Sequence, residues 1–139
     1  MIESFSDAVN MWNCFHDGSI VKVTQTDSQT YEVEIEIAYL MEEILGMEEG
    51  AFALVLFGCE KFVYVPIESP AVTKIEEISQ IDFGILEAQE REDNLWVFGS
   101  NNGILKLKYQ SSKLYLEGKE ITLMQLNDAQ KSYWDQFRS

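Results

Sequence analysis

Residues 30–40, TYEVEIEIAYL, decide the fold class. Tyr31, Val33, Ile35, Ile37 and Tyr39 alternate with Glu32, Glu34 and Glu36, and side chains on an extended strand point to opposite faces in turn. The stretch reads as a strand with an apolar face on a core and a row of carboxylates on the other side. Its register is strongly specified, because a slip of one residue would drive three carboxylates into the core.

Working outward toward the N-terminus, Asp27–Ser28–Gln29 is turn chemistry, and a strand over 19–26 places Val21 and Val23 on one face. Before it, Ser4 or Ser6 caps a short helix with Ala8, Met11, Trp12 and Phe15 at helical spacing, broken by Asp17–Gly18. In the other direction the period changes after Tyr39. Leu40, Met41, Ile44 and Leu45 fit one or two helical turns ending at Gly46, a left-handed cap. Residues 52–65 are apolar on both alternating faces, which predicts a covered central strand or a hairpin kinked near Gly58; Pro66 ends it. Thr73 with Glu76 has the form of a capping box for a short helix carrying Ile75 and Ile78.

Strands then dominate again, over 83–90, 95–99, 104–109, 113–116 and 121–124. Their connections are Glu92–Asp93–Asn94, Asn101–Asn102–Gly103, Ser111–Ser112 and Glu117–Gly118–Lys119, all hairpin punctuation. Asn127 caps a last helix with Ala129, Tyr133, Trp134 and Phe137 on its apolar side. This pattern predicts a mainly β chain, α+β only at its margins. The expected architecture is a single domain over 1–139, an antiparallel sheet curled into a sandwich or partial barrel with short helices at both termini. A parallel doubly wound fold is not expected, since no run of ten or more helical residues separates successive strands.

Charge is the strongest compositional signal. The formal net charge is −14 and the isoelectric point near 4.3. Residues 1–70 hold thirteen acids against two bases, whereas residues 71–139 hold eleven against eight. Nucleic acid and anionic membranes both require basic surface, so neither is the expected partner. An acidic surface serves solubility or steers a basic protein partner. The longest nearly uncharged apolar run, 51–59, is far short of the roughly 20 residues a membrane-spanning helix needs. The opening MIESFSDAVNMW carries Glu3 and Asp7 and no base, unlike a secretory leader, so a cytoplasmic protein is expected. Cys14 and Cys59 read as small buried hydrophobes with reduced thiols. The oligomeric state is left open by the sequence.

Few residues look chemical. His16, the only histidine, stands beside Asp17, and such a pair can be a general base with its orienter. Adjacent residues on a turn rarely aim at one point, however, and a histidine ending a helix can bond the exposed carbonyls there. One His and two Cys fall short of a zinc site, and no phosphate-binding, dinucleotide or nucleophile-elbow motif occurs. No cofactor and no catalytic constellation are expected. Alternate strand residues lie about 6.5–7 Å apart, so Glu32, Glu34 and Glu36 form a comb suited to Lys and Arg side chains. Glu42, Glu43, Glu48 and Glu49 extend that negative surface. Trp12, Trp96 and Trp134 sit among apolar neighbours, which places them in the core. A second possibility is a barrel or cleft binding a small ligand, with His16 and Tyr or Trp side chains at its mouth.

CFHDGSIVKV (14–23), VEIEIAYL (33–40) and GCEKFVYVP (58–66) together resemble a group of small uncharacterised bacterial proteins. That group opens with Leu/Phe-His-Asp-Gly/Ala-X-Ile, continues with a strand ending in Ile/Tyr-Leu, and has a Gly/Asn-Cys-X-X-Phe-X-Tyr-X-Pro segment. The match covers residues 12–66. The resemblance makes His16, Asp17 and Gly18 family-marking residues without an assigned catalytic role. Some members look like immunity proteins paired with secreted bacterial toxins, so the resemblance implies an immunity-type protein that neutralises a basic toxin.

Overall fold

The computed structural model describes residues 1–47 and 49–137; Glu48, one of the acids named above, lies outside the described residues. In chain order the elements are α1 (Phe5–Cys14), β1 (Ser19–Asp27), β2 (Thr30–Glu36), α2 (Ala38–Leu45), β3 (Phe52–Phe57), β4 (Lys61–Val65) and α3 (Ile75–Ile78). They continue with β5 (Phe83–Arg91), β6 (Asn94–Gly99), β7 (Ile104–Lys108), β8 (Ser111–Leu116), β9 (Lys119–Ile121) and α4 (Leu123–Asp135). All nine strands join one antiparallel sheet in the order β4-β7-β6-β5-β1-β2-β3-β8-β9. The mainly β architecture with helices at both termini follows the alternation in the sequence.

The curl has a local cause. β3 runs on into β4 across Gly58, whose positive φ of 63° kinks the chain, and β7 runs on into β8 across Tyr109 and Gln110. Glu60 N–H donates to Lys108 O and Gln110 N–H to Phe57 O, carrying the ladder over both gaps. These two stretches serve both ends of the strand order, so the sheet wraps round as a partial barrel. It is not closed, and β4 and β9 are its edges. Val72 exchanges two backbone bonds with Tyr64 on the β4 edge, and Ile2 does the same with Ser112 beside β9. Such short cover blunts edges that would otherwise pair with other chains.

Where β1 meets β5, only two positions pair, Ser19 with Gly84 and Ile20 with Phe83, and then the strands diverge. Side chains replace the missing ladder. Asn13 Nδ2 donates to Ala88 O at 3.2 Å while its Oδ1 accepts from Ala88 N at 2.8 Å. On the other strand, Ser79 Oγ accepts from Val23 N at 2.9 Å. A buried backbone group costs free energy if left unpaired, so these two residues are what allows the split.

The core fills the concave side of the sheet. Helix α1, capped by Ser4 Oγ accepting from Asp7 N, drops Met11, Trp12 and Phe15 fully out of solvent among Val33, Ile35, Phe52, Leu54, Leu56 and Leu114. Trp12 Nε1 donates to Tyr109 OH at 3.1 Å, which satisfies the one polar atom of the largest buried side chain.

Several local expectations are corrected. Tyr39 is not on the strand: β2 ends at Glu36, and Tyr39 lies in the first turn of α2, which ends at left-handed Gly46 as read. The last strand runs over Lys119–Ile121 and not over 121–124, because Thr122 caps α4 in a reciprocal capping box with Gln125. Asn127 therefore sits inside the helix it was read to cap, and the Thr-X-X-Gln signal that begins five residues upstream, at Thr122, was the operative one. Thr73 does not cap α3; Lys74 occupies that position without a side-chain bond. Ser111 and Ser112 belong to β8 and make no turn. On 52–65 only the inward face is covered: Phe52, Leu54, Leu56, Phe62 and Tyr64 are buried, while Ala53, Val55, Phe57, Val63 and Val65 are half-buried. Outside, Val55 lies between Glu32 and Lys113 on the flanking strands, and the stems of such long residues shield apolar neighbours without a second layer.

Candidate functional site

The His16–Asp17–Gly18 motif joins four elements. His16 Nδ1 lies 3.1 Å from Asn13 O, so the ring donates to a carbonyl at the end of α1 that also accepts from the His16 N–H at 3.3 Å. Asp17 takes a left-handed conformation (φ 71°), its N–H donates to Ile85 O, and Ile85 N–H returns a bond to Gly18 O. Gly18 leaves no room for a side chain: a Cβ there would meet Phe15 O at 2.9 Å and Glu36 O at 3.2 Å. The turn thus clamps α1 to β5 and to the end of β2.

His16 and Asp17 are not arranged as base and orienter. Nε2 stands 3.8 Å from the Asp17 carboxylate, beyond hydrogen-bond length, and the side chain of Asp17 is exposed. The other ring nitrogen is engaged by backbone and by Gln130. With its amide oriented to satisfy both ends, Gln130 donates to Cys14 O at 2.7 Å and accepts from His16 Nδ1 and Trp134 Nε1, both at 3.3 Å. Gln130 on α4 ties the end of α1 to the last helix, a role that no sequence pattern announced.

An aromatic cluster surrounds this clamp. His16 stacks on Trp134 (ring centroids 5.8 Å, planes 16° apart), and Tyr39 packs on Tyr133 at 4.5 Å. Tyr133 and Trp134 both contact Phe137. Tyr39 OH donates to His16 O at 3.1 Å; burial first, then the charge of Asp17, pushes its hydroxyl above its ordinary range and keeps it a donor. The outer part of the cluster meets solvent: Trp134 is 38% exposed and Phe137 66%. Of the three tryptophans read as core, only Trp12 is fully buried. Trp134 is exposed because α4 packs on α1 and α2 through Leu126 and Ala129. Trp96 lies half-buried on the outer sheet face.

Beside the cluster, Asp17, Glu36 and Glu49 line one open groove with Ser19, Ile37, Ala38 and Gly50. The structure therefore gathers one residue from the motif, one from the Glu stripe and one from the loop after α2. Glu32 and Glu34 lie farther along β2, half-buried on the outer face, and Glu34 pairs across the ladder with Lys22. Glu42 is exposed on α2, whereas Glu43 is half-buried and accepts from Gln136, the residue that ends α4. The comb of Glu32, Glu34 and Glu36 and the acids read as extending it are thus divided between sheet, helix and loop, and of those described only Glu36 and Glu49 reach the groove.

Among the described residues, no group of three or more His, Cys, Asp or Glu side chains is placed to hold a metal ion. Cys14 and Cys59 are buried free thiols, each pushed up to about 11 by burial. Tyr109, bonded by Trp12, is pushed up to about 12, again by burial. Groups held protonated by the fold stabilise it fully below their unfolded pKa and lose that contribution as pH rises through the folded value. The melting temperature should therefore fall between about pH 9 and pH 12. In the same preparation both thiols should resist iodoacetamide at neutral pH until denaturant is added; rapid labelling of the folded protein would contradict their burial.

A crevice of about 50 Å³ between Ile2, Phe5, Leu95, Leu107 and Tyr109 is too small for an organic ligand. Among the described residues no helix is long and apolar enough to cross a membrane. Comparison with protein-family models, with curated proteins and with solved structures returns no match.

Proposed function

We propose that the chain is a non-enzymatic, cytoplasmic protein-binding module whose partner is a basic protein. The observation that carries this reading is the solvent-facing aromatic cluster of Tyr133, Trp134 and Phe137 beside the carboxylates of Asp17, Glu36 and Glu49. Aromatic side chains anchor interfaces, while surrounding charge sets orientation and encounter rate. The net charge of −14 supplies the long-range field. Neutralising a basic toxin, as an immunity-type protein does, is the specific form of this role that the resemblance of residues 12–66 implies. The small-ligand reading has less behind it, because Trp12, Phe15 and Phe52 fill the barrel interior.

The test is co-expression with the product of the neighbouring reading frame, followed by titration of the purified pair. Affinity should weaken sharply as salt rises from about 50 to 500 mM. Trp134→Ala should cost at least about 2 kcal/mol of binding. A basic partner that binds with no response to salt or to Trp134→Ala would overturn the proposed interface, and failure to form a complex would remove the immunity form.

A further inference from the structure

The outer face of the other half of the sheet has the opposite chemistry. Register places Lys106 of β7 between Trp96 of β6 and Val63 of β4, and Ile104 between Phe98 and Val65. Lys61 and Lys108 pair one step farther along. The guanidinium carbon of Arg91 lies 5.3 Å from the Trp96 ring centroid and 5.2 Å from that of Phe98, and Lys106 Nζ lies 4.2 Å from Trp96. Arg91 is held there by Nε donating to Gln89 Oε1 at 2.9 Å. Four of the ten bases of a strongly acidic chain thus share one face. Among the described residues the only ion pair any of them makes is Lys108 with Glu60, at 3.6 Å. Trp96 Nε1 is buried with no acceptor. The acids beside these cations are Glu60, paired with Lys108, and Glu87, opposite Phe98 and bonded by Gln89, so four cations face two carboxylates and the patch is locally basic on a strongly acidic chain.

We propose that this face binds an acidic segment of a protein partner, one in which carboxylates alternate with apolar residues. The cations are already seated on aromatic rings, so part of their hydration and side-chain freedom is lost before binding, which favours charge-assisted bonds to a carboxylate. Val63, Val65 and Ile104 provide apolar contacts between the charged positions, a spacing that fits a peptide better than a continuous phosphate backbone. The surface shares no residue with the aromatic cluster on α4, so the two readings stand or fall separately.

The probe is a fluorescein-labelled peptide of alternating glutamate and leucine, titrated with the full chain by anisotropy at about 50 mM salt. Arg91→Gln and Lys106→Gln should each weaken binding about tenfold or more, with unchanged melting temperature. Lys131→Gln on α4 should bind like the parent. Absence of binding, or equal affinity in all three variants, would overturn the proposal. So would tighter binding of a labelled thymidine oligonucleotide than of the peptide, which would assign the face to single-stranded nucleic acid.

Discussion

Trp12→Ala should lose about 3–5 kcal/mol of stability, the cost of removing a fully buried large side chain and leaving a cavity. Domains of this size hold about 5–15 kcal/mol in total, so the variant is expected to be marginal at physiological temperature. Two terms add here. The indole is the largest fully buried side chain and sits on the concave face of the sheet, where a rigid curled ladder cannot close over the space. It also supplies the hydrogen bond to Tyr109 OH, and deleting it leaves a buried hydroxyl without its donor. Trp12→Phe separates the two, because it restores most of the volume and still strands Tyr109. Urea denaturation followed by far-UV circular dichroism reads both as shifts in midpoint at constant slope. A loss below about 1 kcal/mol for Trp12→Ala would mean that α1 is not the plug of the barrel.

Asn13→Ala should follow closely, although Asn13 contributes little apolar area. Its side chain bonds both the N–H and the C=O of Ala88, where β1 has already turned away from β5. Removing it strands two backbone groups on a buried residue, each worth about 1–3 kcal/mol. Hydrogen exchange at the Ala88 amide should accelerate more than at Val97, its partner on β6, whose ladder the substitution does not touch. Asn13→Asp can still accept from Ala88 N–H but places an acceptor against Ala88 O, so it should be destabilising as well. If Asn13→Ala were neutral, β1 and β5 would have to re-pair beyond Ile20, a different sheet from the one described.

How much of this was legible depended on whether the determining interaction was local. The alternation of Tyr31 to Ile37 with three glutamates specified β2 and its register. Asp-Gly and Glu-Gly turns, the Ser4 cap and the Gly46 stop were likewise readable, because each is set within a few residues. Tyr39 was misassigned for a related reason. Its apolar side chain continues the period of two for one more step, yet the chain has already entered a helix whose own period begins at Ala38. Trp134 was misplaced because a helical stripe of Tyr133, Trp134 and Phe137 looks alike whether it meets a core or the outside of two other helices.

His16, Asp17 and Gly18 show the boundary most clearly. The helix stop and the need for a turn were visible in the residues themselves. What they hold together, α1 with β5, β2 and α4, depends on Ile85, Glu36 and Gln130, which are distant in sequence. The acidic groove and the cation-bearing face have the same character: Asp17, Glu36 and Glu49, or Arg91, Lys106 and Trp96, meet only once the strands have paired. Local periodicity and turn chemistry, acting over a few residues, therefore determined the strands, the curled antiparallel class and the acidic character of the chain. Only tertiary structure decided which charges share a surface and which aromatics reach solvent, since cross-strand register and helix docking join residues that no short-range pattern connects.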